Sequence, residues 1–261
     1  YSANARGGAG GPLAVLIIAI VASELGKAVS KETRVDILVT PLVTIFSGVG
    51  LSMLIAAPIG AAASQVGTLI MWATEQAPLV MGILVSVIVG VALTLPISSA
   101  AICAALGLTG LAGGAAVAGC CAQMIGFAVM SYKENGVGGL VSQGLGTSML
   151  QMGNIVKNPR IWIAPTLASA ITGPLATCVF HFEMNGAAVS SGMGTCGLVG
   201  QIGVYTGWVS DIAAGVKTAI TPMDWAAMVL LCFVLPAVLS VIFCEIERKL
   251  GWIKEGDLKL N

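Results

Sequence analysis

The segment PLATCVFHFEMNGAAVSSGMGTCGLVGQIGVY, Pro174–Tyr205, decides how the rest of the chain is read. It holds the single histidine, His181, and an acid, Glu183, in a stretch with no lysine or arginine. Asn185, Ser190, Ser191, Thr195 and Gln201 follow, interleaved with Gly186, Gly192, Gly194, Gly197, Gly200 and Gly203. The stretch is too apolar for an ordinary solvated loop. It is also too glycine-rich for a straight helix, because each interior glycine costs about 1 kcal/mol relative to alanine. At membrane depth, non-helical backbone is tolerated only where protein buries it or where it lines a watery cavity. The segment therefore reads as a re-entrant stretch at a polar site inside a membrane protein.

Composition agrees with that setting. Hydrophobic residues make up 57% of the 261 residues and charged residues only 9%, against about 25% charged in a soluble domain. Mean hydropathy is +0.96. A soluble chain with one very large core conflicts with these values, and the apolar runs are continuous rather than alternating as in a membrane β-barrel. The fold class is an all-α polytopic membrane protein. At about 20 residues per span, about six to eight transmembrane helices fit the length, with one or two re-entrant or amphipathic segments. Net charge is zero, so no electrostatic case exists for nucleic acid. The cysteines (Cys103, Cys120, Cys121, Cys178, Cys196, Cys232 and Cys244) form no CxxC pair and lie far from zinc-ligand spacing; they read as small buried hydrophobes, with no metal and no cofactor expected.

Working outward from the central stretch, Ile161–Phe180 leads into it as a spanning candidate interrupted at Gly173-Pro174. After it, Gly207–Ile220 contains Asp211 and Lys217, and Met223–Phe243 reads as the final span. Residues 244–261 (CEIERKLGWIKEGDLKLN) form a charged tail. Upstream, Pro12 opens an apolar run in which Glu24 and Lys27, three residues apart, share a face and can pair. Ile37–Ala63 carries Pro41 and Pro58 and reads as a tilted or broken helix, followed by an interfacial stretch, Gln65–Gln76, with Trp72. Ala77–Leu95 is the cleanest span, stopped by Pro96. Ile97–Met130 reads as closely packed small-residue helices with a break near Gly113-Gly114, closed by a polar turn at Lys133–Asn135. Basic residues cluster at Lys27–Arg34, Lys157–Arg160 and Arg248–Lys259, which the positive-inside rule assigns to the cytoplasm, C-terminus included. The glycine-rich opening, Asn4–Pro12, reads as an internal bend with the preceding helix removed. Together with Gly192–Gly203 and the early prolines Pro41 and Pro165, it hints at an internal repeat.

Two groups of residues can contact a ligand. On a helix over Gly138–Asn158, the positions Gln143, Thr147, Gln151 and Asn154 share one uncharged polar face. Amides and hydroxyls suit a neutral hydroxylated solute, although the same face also serves as a polar seam between helices. In the central stretch, His181, Glu183 and Asn185 are spaced two apart and point to one side only in extended backbone. A carboxylate in a partly dry cavity accepts hydrogen bonds from sugar hydroxyls or couples to a proton. Thr195 and Gln201 complete the candidate set. No catalytic set is complete: the histidine has no nucleophile elbow around it, and no Walker loop occurs.

The runs QGLGTSMLQMGN (Gln143–Asn154), KNPRIWIAPT (Lys157–Thr166) and GMGTCGLVGQIG (Gly192–Gly203), in this order, resemble the enzyme IIC-like membrane proteins of the bacterial phosphotransferase system, in the branch that includes perfringolysin-regulator-type toxin regulators. The resemblance covers nearly the whole chain as one permease-like domain. It implies a homodimer in the bacterial cytoplasmic membrane that binds a sugar or similar small polar solute and carries it across by an elevator-like movement. Separate IIA and IIB partner proteins would supply phosphate. On that picture Glu183, with His181 and Asn185, holds the accepting hydroxyl, and the Gln143 face adds contacts. The glycine-isoleucine-threonine-glutamate pattern of glucose-type permeases is absent; Phe182-Glu183-Met184-Asn185 stands in its place. A membrane sensor without net transport, or a passive channel with a continuous pore, are the alternatives.

Overall fold

Apolar runs punctuated by glycine and proline give eleven α-helices in the computed structural model, counted among its described residues 11–30 and 36–260. They are α1 (Gly11–Val29), α2 (Asp36–Gln76), α3 (Pro78–Thr94), α4 (Ser99–Leu106), α5 (Gly110–Met130) and α6 (Tyr132–Val141), then α7 (Met152–Lys157), α8 (Ile163–Pro174), α9 (Val199–Ala213), α10 (Pro222–Val229) and α11 (Leu235–Lys249). Proline opens α3 and α10 at the first turn, where its missing N–H costs nothing. Helix α10 also has a capping box: the Thr221 hydroxyl accepts from Asp224 N, and the Asp224 carboxylate accepts from Thr221 N. Four helical stretches are long and apolar enough to cross a bilayer among the described residues: Asp36–Gln76, Gly110–Met130, Pro159–Val179 and Pro222–Lys249. Helix α3 is apolar but shorter, at 17 residues. The glycine-rich opening as far as Gly10 and the Lys31–Arg34 part of the basic loop lie outside the described residues.

The chain divides into two compact units. The first comprises the described residues up to Thr68 and Ala104–Leu106; the second comprises Leu69–Cys103 and the residues from Gly107 onward. In the first unit Ala14 and Ile18 of α1 pack on Ala56 of α2. Gly26 lies directly against Thr44, which leaves no room for a side chain at that crossing. The expected Glu24–Lys27 pair forms at 3.6 Å.

In the second unit α5 is almost wholly enclosed by α3, α8 and α11. Contact is close at the glycines: Gly119 lies backbone to backbone against the Ser86 carbonyl of α3, and Gly126 lies 2.6 Å, measured from where a Cβ would stand, from Ser240 Oγ of α11. Small residues permit this approach, which replaces the hydrophobic driving force that lipid removes. The Ser240 hydroxyl is buried there without a hydrogen-bond partner, whereas the amide and hydroxyls around Gln123 are bonded. Gln123 accepts from Trp162 Nε1 at 3.0 Å and donates to Thr166 Oγ1 at 3.2 Å, and Ser169 Oγ donates to the Gly119 carbonyl at 3.2 Å.

Several expectations need correction. Of the two expectations for α2, tilted or broken, the break does not occur: the helix continues through Pro41 and Pro58 as one 41-residue element. The break expected at Gly113-Gly114 falls instead at Gly107–Gly110, where Gly107 (φ 63°) and Gly110 (φ 61°) take the left-handed backbone that only glycine adopts cheaply. Gly113 and Gly114 sit inside α5, where they admit a neighbouring backbone. The polar turn at Lys133–Asn135 is the first turn of α6. Gly138–Asn158 is not one helix: α6 passes into a π turn at Ser142–Gly146, Thr147 is extended, and a 3₁₀ turn at Ser148–Gln151 precedes α7.

Glu247, on α11, is 4% exposed and neither carboxylate oxygen has a hydrogen-bond partner. An unsatisfied buried polar group costs about 1–3 kcal/mol, and more when charged. Glu247→Met, which keeps the length and removes the charge, is expected to raise the melting temperature of the detergent-purified protein in a thermal-unfolding scan. A lowered melting temperature would show that the carboxylate is stabilised.

Candidate functional site

The candidate site is built where α8 stops being helical. Its last turn widens into a π turn, Leu175–Val179, a feature that often marks function. His181 then takes a positive φ of 43°, rare for a non-glycine residue, and turns the chain into extended backbone. Met184 and Gly110 exchange two backbone hydrogen bonds, each 3.0 Å, as an isolated antiparallel bridge. Along this strand Phe182 and Met184 are buried, whereas His181 and Glu183 are exposed and Asn185 is half-buried. His181, Glu183 and Asn185 thus alternate in exposure with the buried Phe182 and Met184. The buried pair joins the cluster of Val117, Val204, Trp208 and Leu231.

This strand can reach α5 only because of Gly114, which lies against the Phe182 carbonyl. Further on, Gly200 and Gly203 lie inside α9, which corrects the expectation that glycine keeps the segment non-helical as far as Tyr205. Both serve close approach: Gly203 to Ser190, and Gly200 to the Gly194 carbonyl.

Asn185 ties the polar side together. Its Nδ2 donates to Glu183 Oε2 at 3.0 Å and to Asp211 Oδ2 at 2.9 Å, while its Oδ1 accepts from Gly110 N at 3.2 Å. Asp211 comes from the last turn of α9 and has no counterpart in the sequence-based candidate set. The available signal was an acid in an apolar stretch. Beside this pair lies a cavity of about 260 Å³, bounded by His181, Glu183, Asp211, Trp208 and the Lys217–Asp224 ion pair of 2.6 Å. Lys217 also stands 5.3 Å from the Trp208 ring centre, in cation–π range. Trp208 packs edge-on against Trp225. The cavity thus combines an aromatic face with three carboxylates against one ammonium. It can accept hydrogen bonds from a hydroxylated solute and favours a cation over an anion. Among the described residues no cluster of three or more histidine, cysteine, aspartate or glutamate side chains is suited to a metal.

The other candidate residues do not line this cavity. Gln143 Nε2 donates to Ser131 Oγ at 2.7 Å and to the Gly139 carbonyl, and its Oε1 accepts from Gln151 Nε2 at 2.9 Å. Gln151 also donates to the Leu258 carbonyl, and Asn154 donates to Gln151 Oε1 and to the Lys259 carbonyl. Thr147 accepts from Met149 N as a cap. Thr195 donates to the Gly144 carbonyl at 2.6 Å. Gln201 donates to Cys121 Sγ at 3.2 Å, and its Oε1 is buried with no partner. The polar face of Gln143, Gln151 and Asn154 is therefore an amide chain bonded to the C-terminal segment.

An all-helical chain with four stretches long and apolar enough to cross a bilayer, among the described residues, defines a multi-pass membrane protein. The chain belongs to the phosphotransferase system EIIC family: the family model described as "Phosphotransferase system, EIIC" matches residues 3–260. It is thus the membrane permease component of a sugar phosphotransferase system, working with EIIB and EIIA components in a bacterial membrane. No curated protein and no solved structure matches the chain.

A side chain at Gly114 would collide with the carbonyl of the strand that carries Glu183. Gly114→Val is expected to destabilise the protein by about 1–3 kcal/mol, the usual cost of overpacking, read as a lowered midpoint in thermal unfolding. An unchanged midpoint would show that the strand is free to move off α5.

Proposed function

We propose that this chain binds its sugar, or a similar small polar solute, in the cavity between Glu183, Asp211 and Trp208, and moves it across the membrane by an elevator-type alternation. The observation that carries the reading is the bridge from Asn185 to both Glu183 and Asp211. It fixes two carboxylates at one wall of a cavity whose other wall is an indole. Carboxylates accept from sugar hydroxyls, and the apolar C–H face of a sugar ring packs on tryptophan. His181, exposed at the rim, is placed to donate or accept at a further hydroxyl. Gln143, Thr147, Gln151, Asn154, Thr195 and Gln201 make their hydrogen bonds to protein in this arrangement. We assign them to holding the surrounding backbone here, with direct solute contact by them requiring a rearranged state. We further propose that a separate IIB protein phosphorylates the solute at the cytoplasmic face, that the C-terminus is cytoplasmic, and that the protein works as a homodimer.

Glu183→Gln keeps the size of the side chain and removes its charge. It is expected to abolish stabilisation by the cognate sugar in a thermal-shift screen of sugars and polyols while leaving the sugar-free melting temperature unchanged. In the wild type, a ligand present at 100 times its dissociation constant adds about 2.7 kcal/mol of stability. A sugar that stabilises wild type and Glu183→Gln equally would remove the carboxylate from the site, and loss of folding in the variant would make Glu183 structural.

A further inference from the structure

Two basic stretches far apart in the sequence meet in the second unit. Asn158 Nδ2 donates to the Trp252 carbonyl and to Asp257 Oδ2, both at 2.9 Å, and Arg160 stands 5.7 Å from the Trp252 ring centre. The segment after α11 is held from the other side as well. Glu134 accepts from Leu258 N at 2.8 Å while pairing with Arg248 at 3.0 Å. Asn135 donates to the Leu258 carbonyl and accepts from Leu260 N, and Gln151 and Asn154 donate to the Leu258 and Lys259 carbonyls. Leu258 itself is fully buried beside Phe127 and Ile155. The segment is thus a fixed wall.

Between this wall and the end of α7 lies a second cavity, of about 430 Å³, which shares no lining residue with the candidate sugar site. Lys157 and Lys259 both line it, together with Asn154, Asn158 and Asp257. Neither lysine has an ion-pair partner among the described residues. The one carboxylate among the lining residues is Asp257, whose Oδ2 accepts from Asn158 and from Lys254 N at 2.9 Å. The Asn154 and Asn158 amides are likewise engaged by protein acceptors. Two unpaired ammonium groups therefore outnumber the single carboxylate, in a pocket large enough for a small anion. Ammonium groups act as compact point charges, which suits a tetrahedral phosphate rather than the planar, two-pronged recognition that arginine gives carboxylates. Lys157 lies two residues before the membrane-crossing stretch Pro159–Val179, and the wall follows the stretch that ends at Lys249. The cavity is thus tied to the ends of two spans, where lipid headgroups are found.

We propose that the Lys157–Lys259 cavity binds a phosphate-bearing anion, with the headgroup of an anionic phospholipid as the source its place in the fold favours and a soluble phosphate as the other. The site is independent of the sugar reading. The test uses the full chain purified in a neutral detergent, with binding followed by thermal shift. The probes are phosphatidylglycerol in mixed micelles, phosphatidylcholine at the same dose, and inorganic phosphate. Phosphatidylglycerol is expected to bind, and the double variant Lys157→Gln/Lys259→Gln to weaken it about twenty-fivefold, on about fivefold per lysine. Lys157→Arg/Lys259→Arg, which keeps both charges, is expected to retain most of the binding. Lys254→Gln, a tail lysine off the cavity wall, is expected to change it little. The same pattern with inorganic phosphate as well would make the site one for phosphate in general. No binding of either anion by the wild type overturns the proposal. So does equal stabilisation by phosphatidylcholine, or an equal loss in Lys254→Gln, which would leave only a diffuse surface charge effect.

Discussion

Backbone-to-backbone contact along α5 is the constraint on which the second unit depends. In a bilayer, apolar side chains gain little by leaving lipid, so helices associate through close packing and polar bonds. The sequence Gly110–Met130 is built for that. It presents Gly119 to α3, Gly126 to α11 and Gly114 to the Phe182 carbonyl, and it places the amide of Gln123 among hydroxyls and an indole N–H. A larger side chain at any of these contacts pushes away a whole element. The same closeness carries chemistry, because a strand that leans on Gly114 and pairs with Gly110 has its buried face fixed by α5. Its open face is then fixed as well.

From that fixed strand the electrostatics of the candidate site follow. Asn185 spends both amide protons on carboxylates and its oxygen on Gly110 N, so its side chain cannot rotate without breaking all three bonds. Glu183 and Asp211 are thereby held near each other although their charges repel. Lys217 offsets part of this charge from across the cavity, but it is shared with Asp224 and the Trp208 ring. The remaining negative potential points into the cavity, which suits hydroxyl donors.

Much of this was legible in the residues. The spacing of His181, Glu183 and Asn185 called for an extended backbone to be useful; the buried setting expected from the lack of charge around them holds for Phe182 and Met184, while His181 and Glu183 are exposed. The family followed from motifs spread over the chain. What stayed hidden were tertiary reasons for glycine and amide placement. Gly107 and Gly110 break the chain while Gly113 and Gly114 do not, because only the first pair adopts positive φ; sequence shows four similar glycines. Pro41 and Pro58 do not interrupt α2. The four-four-three spacing of Gln143, Thr147, Gln151 and Asn154 assumed an unbroken helix. A π turn and an extended Thr147 re-aim these side chains, and carbonyls more than a hundred positions later take up the Gln151 and Asn154 amides. Asp211 was visible as an acid in apolar company, but its pairing with Glu183 through Asn185 depends on how α9 folds back.

The π turn at Leu175–Val179 has a further implication for how such chains diverge. A wide turn accommodates one residue more than an α-helical turn would, so chain length can change by one there while the helix persists. A residue gained or lost that the wide turn does not absorb rotates everything beyond it by about 100°, the angular step of a helix with 3.6 residues per turn. The direction in which Glu183 faces is therefore encoded partly as a residue count in the preceding helix. Relatives that differ by a single insertion between Pro174 and Phe180 would present a different set of side chains to the same cavity, with no substitution in the cavity itself.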